Sequence, residues 1–226
     1  GKGIEYVIKA LPDIVKKFPN VLYLVIGETH PVVRKQEGEE YRNKLIKLVE
    51  NLGLKNNVKF YNKYLDLDEI IEYLKATDVY IYSALDRNQI VSGTLAYAMS
   101  AGKAIVATPS LYATEMLSND RGLLTEFRNP KSMENSIVSL IENIELRKKL
   151  GKNAYAFSRQ MTWPNVALSY GNLIKDYIAI PDIYFERLPR INTEHIRRMT
   201  DNFGILQFAK YSTPHNSSGY TLDDNS

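Results

Sequence analysis

Four short and almost uninterrupted apolar runs, at residues 21–26, 58–61, 79–82 and 104–107, are separated by longer stretches whose apolar residues recur at helical spacing. A strand that is apolar on both faces needs cover on both, which a parallel sheet flanked by helices provides. Alternation of such runs with helical segments every ~20 to 35 residues predicts right-handed βαβ units. The expected fold class is therefore α/β, a Rossmann-like parallel sheet with helices on both faces. In such sheets ligands bind beyond the carboxyl ends of the strands, and the loops after Ile26, Tyr61 and Tyr82 open on that edge.

The helical segments follow from the same periodicity. Ile4, Val7, Ile8, Leu11, Ile14, Val15 and Phe18 mark a first helix, which Pro12 is expected to end or kink unless it packs locally. Residues 38–52 are amphipathic on Tyr41, Leu45, Leu48, Val49 and Leu52, with Gly53 as terminator. Asp66 or Asp68 opens a helix that uses Ile70, Ile71 and Leu74. Past the fourth run come a short helix at 113–117, a weak strand at 122–125, and helices at 130–142, 145–159 and 163–180. From Pro181 the chain turns aromatic, polar and poorly periodic. The expected organisation is a Rossmann-like domain over 1–180. Residues 181–226 then form a linker, one helix at 193–200 and the opening of a further module.

Composition narrows the function. With 44% hydrophobic and 24% charged residues the chain is ordinary globular material. A net charge of +3, with the lysines dispersed, is too mild for a nucleic-acid partner but tolerates an anionic ligand. The absence of cysteine removes disulfides, thiolate nucleophiles and cysteine-ligated metals, and is compatible with a cytoplasmic setting. His30, His195 and His215 are too far apart in sequence for metal-ligand spacing, so neither metal nor other cofactor is expected. No run approaches the ~18 apolar residues of a membrane span.

The stretch 89–102, QIVSGTLAYAMSAG, carries the chemistry. Ser92-Gly93-Thr94 stands where a short helix begins, and a helix N-terminus offers unpaired N–H groups and partial positive charge to a diphosphate. Gly93 lets the ligand approach. Ser92 and Thr94 either add hydroxyl donors or cap the helix; the residues alone leave both open. His30, after the first strand, is either a hydrogen-bonding group for phosphate or sugar or a surface histidine stiffened by Pro31. Gly27, Glu28, Asn62 and Asp86 also end or follow strands on this edge, where turn residues are common.

Taken together, Lys2-Gly3-Ile4 and its helix, LVIG at 24–27, DVYIYSA at 78–84, AYAMSAGKAIVAT at 96–108, RGLL at 121–124 and MTWPNVALSY at 161–170 resemble the nucleotide-sugar-binding half of the group 1 (family 4) glycosyltransferases. The resemblance runs from Lys2 to about Tyr177. It implies the C-terminal domain of a GT-B enzyme, retaining transfer from a nucleoside diphosphate sugar, and a carbohydrate acceptor held by an N-terminal domain. Lys2 matches the lysine that neutralises the donor diphosphate. The family's two glutamates, with seven residues between them, fall on Gln89 and Tyr97, so the contacts to donor sugar and ribose pass to an amide and a phenol. The partner arginine and the strand that normally precede Lys2-Gly3 have no counterpart, nor does the acceptor domain. The chain is accordingly expected to be a fragment, inactive alone. The tail, with Asp223 and Asp224, resembles the start of a fused helical, glycosidase-like toroid. Two alternatives remain: a non-catalytic Rossmann-like module that has lost the two-glutamate motif, and a two-Rossmann sugar-nucleotide epimerase.

Overall fold

A computed structural model describes residues 1–178, 194–201, 204–205, 209–210 and 213–214. These fall into two compact units, 1–171 and 172–226. The first contains, in chain order, α1 (Ile4–Lys17), β1 (Tyr23–Ile26), α2 (Pro31–Glu37), α3 (Glu40–Asn51), β2 (Val58–Tyr61), α4 (Leu67–Ala76), β3 (Val79–Tyr82) and α5 (Gly93–Ser100). It continues with β4 (Ala104–Ala107), α6 (Leu111–Leu117), β5 (Leu123–Leu124), α7 (Pro130–Glu142), α8 (Ile144–Ser158), a single 3-10 turn (Arg159–Met161) and α9 (Trp163–Ile178), which spans the boundary. The second unit holds α10 (Glu194–Met199) and two antiparallel strand pairs, β6 (Thr200–Asp201) with β7 (Gly204–Ile205) and β8 (Ala209–Lys210) with β9 (Thr213–Pro214). The linker expected from residue 181 and the carboxylates Asp223 and Asp224 lie outside the described residues.

The four short apolar runs, with Leu123–Leu124, form two parallel ladders, β1–β2 and β3–β4–β5. Tyr23 N–H donates to the Asn57 carbonyl and Gly27 N–H to that of Tyr61, so the odd residues of β1 face β2. Leu24 and Ile26 therefore turn their backbone groups to the other edge, since a parallel strand alternates its bonding side. On β3 the Tyr82 carbonyl accepts from Thr108 N–H of the β4 side, which leaves Val79 and Ile81 facing away from β4. On that same side Leu85 N–H donates to the Gly1 carbonyl at 3.0 Å, and Ser83 Oγ donates to the Lys2 carbonyl at 2.8 Å.

The two sheet faces carry separate cores. On one, Val25 of β1, Phe60 of β2, Ile81 of β3 and Val106 of β4 pack with Val7, Ile8, Leu11 and Ile14 of α1, Leu45 of α3, and Met133 and Leu140 of α7. On the other, Tyr80 and Tyr82, Ile105 and Ala107 meet Leu74 of α4, Leu95 and Met99 of α5, and Met116 and Leu117 of α6. Helix α8 contributes Leu150 to the first cluster and Ala154 to the second. Alternate residues along one strand thus serve opposite cores.

Pro12 does not end the first helix, since α1 continues to Lys17. Fully buried Val7, Ile8 and Ile14 hold it on α7 and α3, and this packing offsets the hydrogen bond a mid-helix proline removes. The helix expected over 38–52 starts at Glu40, and the preceding segment, read as a loop, contains α2.

Candidate functional site

The carboxyl edge of β3 leads through an exposed loop into α5. Asp86 accepts from Asn88 N–H at 2.9 Å and so closes a local turn, and the Gln89 side-chain amide donates to the Val91 carbonyl at 3.0 Å. The loop is pinned to α6 from behind: Leu111 N–H donates to the Arg87 carbonyl and Tyr112 N–H to that of Gln89. The Arg87 guanidinium lies 4.9 Å from the centre of the Phe127 ring.

Ser92 is the N-cap of α5. It is buried, and its Oγ accepts from Leu95 N–H and sits 3.4 Å from Thr94 Oγ1. Gly93 and Thr94, the first two residues of the helix, are exposed, and their N–H groups have no partner among the described residues. Gly93 has no positive φ, and a Cβ placed on it would meet no atom within 4 Å beyond its chain neighbours and the backbone of its own helix. Neither backbone conformation nor packing demands glycine at this position. Beneath Thr94, burial pushes the Tyr80 phenol above its ordinary pKa, against a hydrogen bond with Thr94. The neighbouring Tyr82 hydroxyl is buried with no hydrogen-bond partner among the described residues.

Lys2 comes to the same edge through the bonds of the Gly1 and Lys2 carbonyls to Leu85 and Ser83. Gly3 makes this possible, because its φ is +66° and a Cβ there would lie 2.1 Å from the Ser83 carbonyl oxygen. The exposed Lys2 ammonium has no ion pair among the described residues.

A second group lies at the ends of β1 and β2, whose register sets Ile26 beside Tyr61. Gly27 takes φ +123°, and its carbonyl accepts from Arg42 at 2.7 Å. Glu28 is engaged by Arg34 at 2.8 Å. His30 caps α2 by accepting from Val32 N–H on Nδ1, and Asn62 is exposed just past β2. The hydrogen bond from Thr29, with Arg42 and Arg34 against the opposing effect of burial, holds the Glu39 carboxylate below the ordinary glutamate pKa. Arg34, Glu39 and Arg42 carry no local sequence signal and are visible only in the fold.

Tyr97 stands apart. It lines a cleft of about 360 Å³ between α4, α5 and the 3-10 turn, with Leu67, Ile71, Leu74 and Arg159. Among the described residues no three His, Asp or Glu side chains converge as metal ligands, and no helix is long and apolar enough to cross a membrane.

Comparison with known proteins agrees with this architecture. The family model described as glycosyl transferases group 1 matches residues 1–157. An uncharacterized glycosyltransferase of Methanocaldococcus jannaschii is 33% identical over 189 residues, covering 83% of this chain and 42% of its own length. The chain thus spans less than half of the curated relatives it matches. Among solved structures, the C-terminal domain of a group 1 family glycosyl transferase from Francisella tularensis superposes with a TM-score of 0.59 at 25% identity, covering 69% of this chain and 76% of that one. The Anabaena HepE protein solved with UDP gives a TM-score of 0.65 at 22% identity, covering 79% and 46%. The fold is that of one Rossmann-like half of a GT-B glycosyltransferase, and the chain belongs to the group 1 glycosyltransferases.

Proposed function

We propose that this domain binds the diphosphate of a nucleoside diphosphate sugar at the start of α5, and that it supplies the donor half of a retaining glycosyl transfer. The observation that carries this reading is Gly93. A glycine that the protein itself does not require, beside two unpartnered N–H groups at a helix N-terminus, leaves room for a ligand that fills the space. The N–H groups of Gly93 and Thr94, with the Lys2 ammonium, meet the charge that accumulates on the departing diphosphate as the glycosidic bond breaks. The Ser92 hydroxyl acts by fixing the helix start. Gln89 contacts the donor sugar once its amide leaves the Val91 carbonyl, and His30 approaches the sugar or ribose from the β1 side. The chemistry calls on no metal and no further cofactor.

The acceptor carbohydrate belongs to a separate domain, so this chain alone is proposed to bind donor without transferring. We also propose that a further parallel strand completes the sheet. The backbone groups of Leu24 and Ile26 on β1 and of Val79 and Ile81 on β3 support it, because open strand edges are costly to leave unpaired.

A second reading has its own support. With Gln89 bonded within its loop and Tyr97 turned to an apolar cleft, α5 presents no carboxylate to a sugar, as a non-catalytic binding module would not. Replacement of Gly93 by Val in the full-length protein separates the two. The donor reading predicts loss of nucleotide affinity with the fold intact, and unchanged affinity contradicts it.

A further inference from the structure

The turn after β1 is tied to α3 by a chain of four alternating charges that the donor chemistry leaves unused. Arg42 on α3 donates through Nη2 to the Gly27 carbonyl at 2.7 Å and through Nε to Glu39 at 3.2 Å. Glu39 also accepts from Thr29 Oγ1 at 2.6 Å and pairs with Arg34 Nε at 3.2 Å, while Arg34 Nη2 holds Glu28 at 2.8 Å. The Gly27 carbonyl, the Glu28 carboxylate and the Thr29 hydroxyl are thus all engaged from the α2–α3 side.

His30 comes next, at the start of α2, where a cap bond orients its ring. Because Nδ1 accepts from Val32 N–H at 3.3 Å, the ring proton sits on Nε2, which has no partner among the described residues. The Arg42 side chain is 14% exposed, and its Nη1 is buried without a partner among the described residues. An unsatisfied buried guanidinium nitrogen is costly, and an aliphatic side chain of the same length would fill the space without that cost.

We propose that Arg42 and Glu39 are positioning residues for His30. They fix the β1 turn so that the His30 Nε2–H stands at the ligand edge as a hydrogen-bond donor to the nucleotide sugar. The inference rests on the donor-site reading given above.

Two measurements on the 226-residue chain test it. Long-range 1H–15N correlation of the His30 ring should show one tautomer in the wild type and averaged ring shifts in R42M, with R42K partly restoring the wild-type pattern. Titration with whichever of UDP, GDP or ADP binds the wild type should show R42M about fivefold to tenfold weaker. H30A/R42M should be no weaker than H30A. The proposal is overturned if R42M weakens binding equally in the H30A background, or if the His30 ring signals are unmoved in R42M. E39Q carries the same cycle should R42M not fold. A wild type that binds none of the three diphosphates contradicts the donor reading, while the His30 ring spectra still decide the positioning role.

Discussion

The Gly102 carbonyl oxygen lies 2.3 Å from the place a Cβ on Gly151 would occupy, so α8 rides directly on the turn that joins α5 to β4. That turn depends on Gly102 at φ +67°. Because α8 also places Leu150 and Ala154 in the two cores, it has little freedom to withdraw. G151A is expected to destabilise the chain by about 1–3 kcal/mol through overpacking. A urea denaturation midpoint equal to that of the wild type would show that the approach is not this close.

Arg121 closes the end of α6. Its Nε donates to the Met116 carbonyl at 2.6 Å, and its Nη2 donates to the Glu115 carbonyl and to Ser118 Oγ. The guanidinium lies 3.8 Å from the Phe157 ring centre, and burial lowers its pKa. R121M keeps most of the aliphatic volume but orphans those acceptors, at a cost of about 2–3 kcal/mol. R121K, which keeps the charge without the planar fork, should fall between the two in the same denaturation experiment.

Tyr82 gives the opposite sign. It is 6% exposed, and its hydroxyl is buried without a partner among the described residues, so Y82F removes a desolvation cost and leaves the ring packing unchanged. The variant should be as stable as the wild type or more stable by about 1 kcal/mol. Destabilisation in thermal melts would reveal an acceptor for that hydroxyl.

Glu39 makes the β1 turn sensitive to acid. Its folded pKa lies below the ordinary glutamate value, chiefly through the hydrogen bond from Thr29. The stability it contributes is therefore complete above its unfolded pKa and is lost as pH falls through the lowered folded value. The difference in stability between wild type and E39Q should be constant near neutrality and shrink on the acid side. A difference that does not change with acid pH would show that the carboxylate charge does not hold the turn.

Much of this architecture can be read along the chain because its signals are local. The apolar runs at 21–26, 58–61, 79–82 and 104–107 become β1 to β4, and Asn129-Pro130 opens α7 as a cap followed by proline should. Helix α2 gives no such signal, for none of its residues is buried and its only mark is His30-Pro31 at the start. At Pro12 a valid local rule gives way to the packing of α1 on α7 and α3. Within the candidate site, Ser92-Gly93-Thr94 is legible because cap and helix start are neighbours in sequence. The bond from Arg42 to Gly27 joins residues fifteen apart, and no spacing rule connects them. The orientation of Tyr97 toward α4 depends on how α5 is rotated against the sheet, which the sequence alone does not determine.

The central claim is that the start of α5 holds a nucleoside diphosphate. Titration of the 15N-labelled chain with UDP, GDP and ADP tests it most directly. The account predicts that one of the three shifts the amide signals of Gly93 and Thr94 together with those of Lys2 and Gly3, and does so saturably. A folded sample in which no diphosphate moves these amides, or in which the shifts gather instead around the cleft at Tyr97, would contradict it.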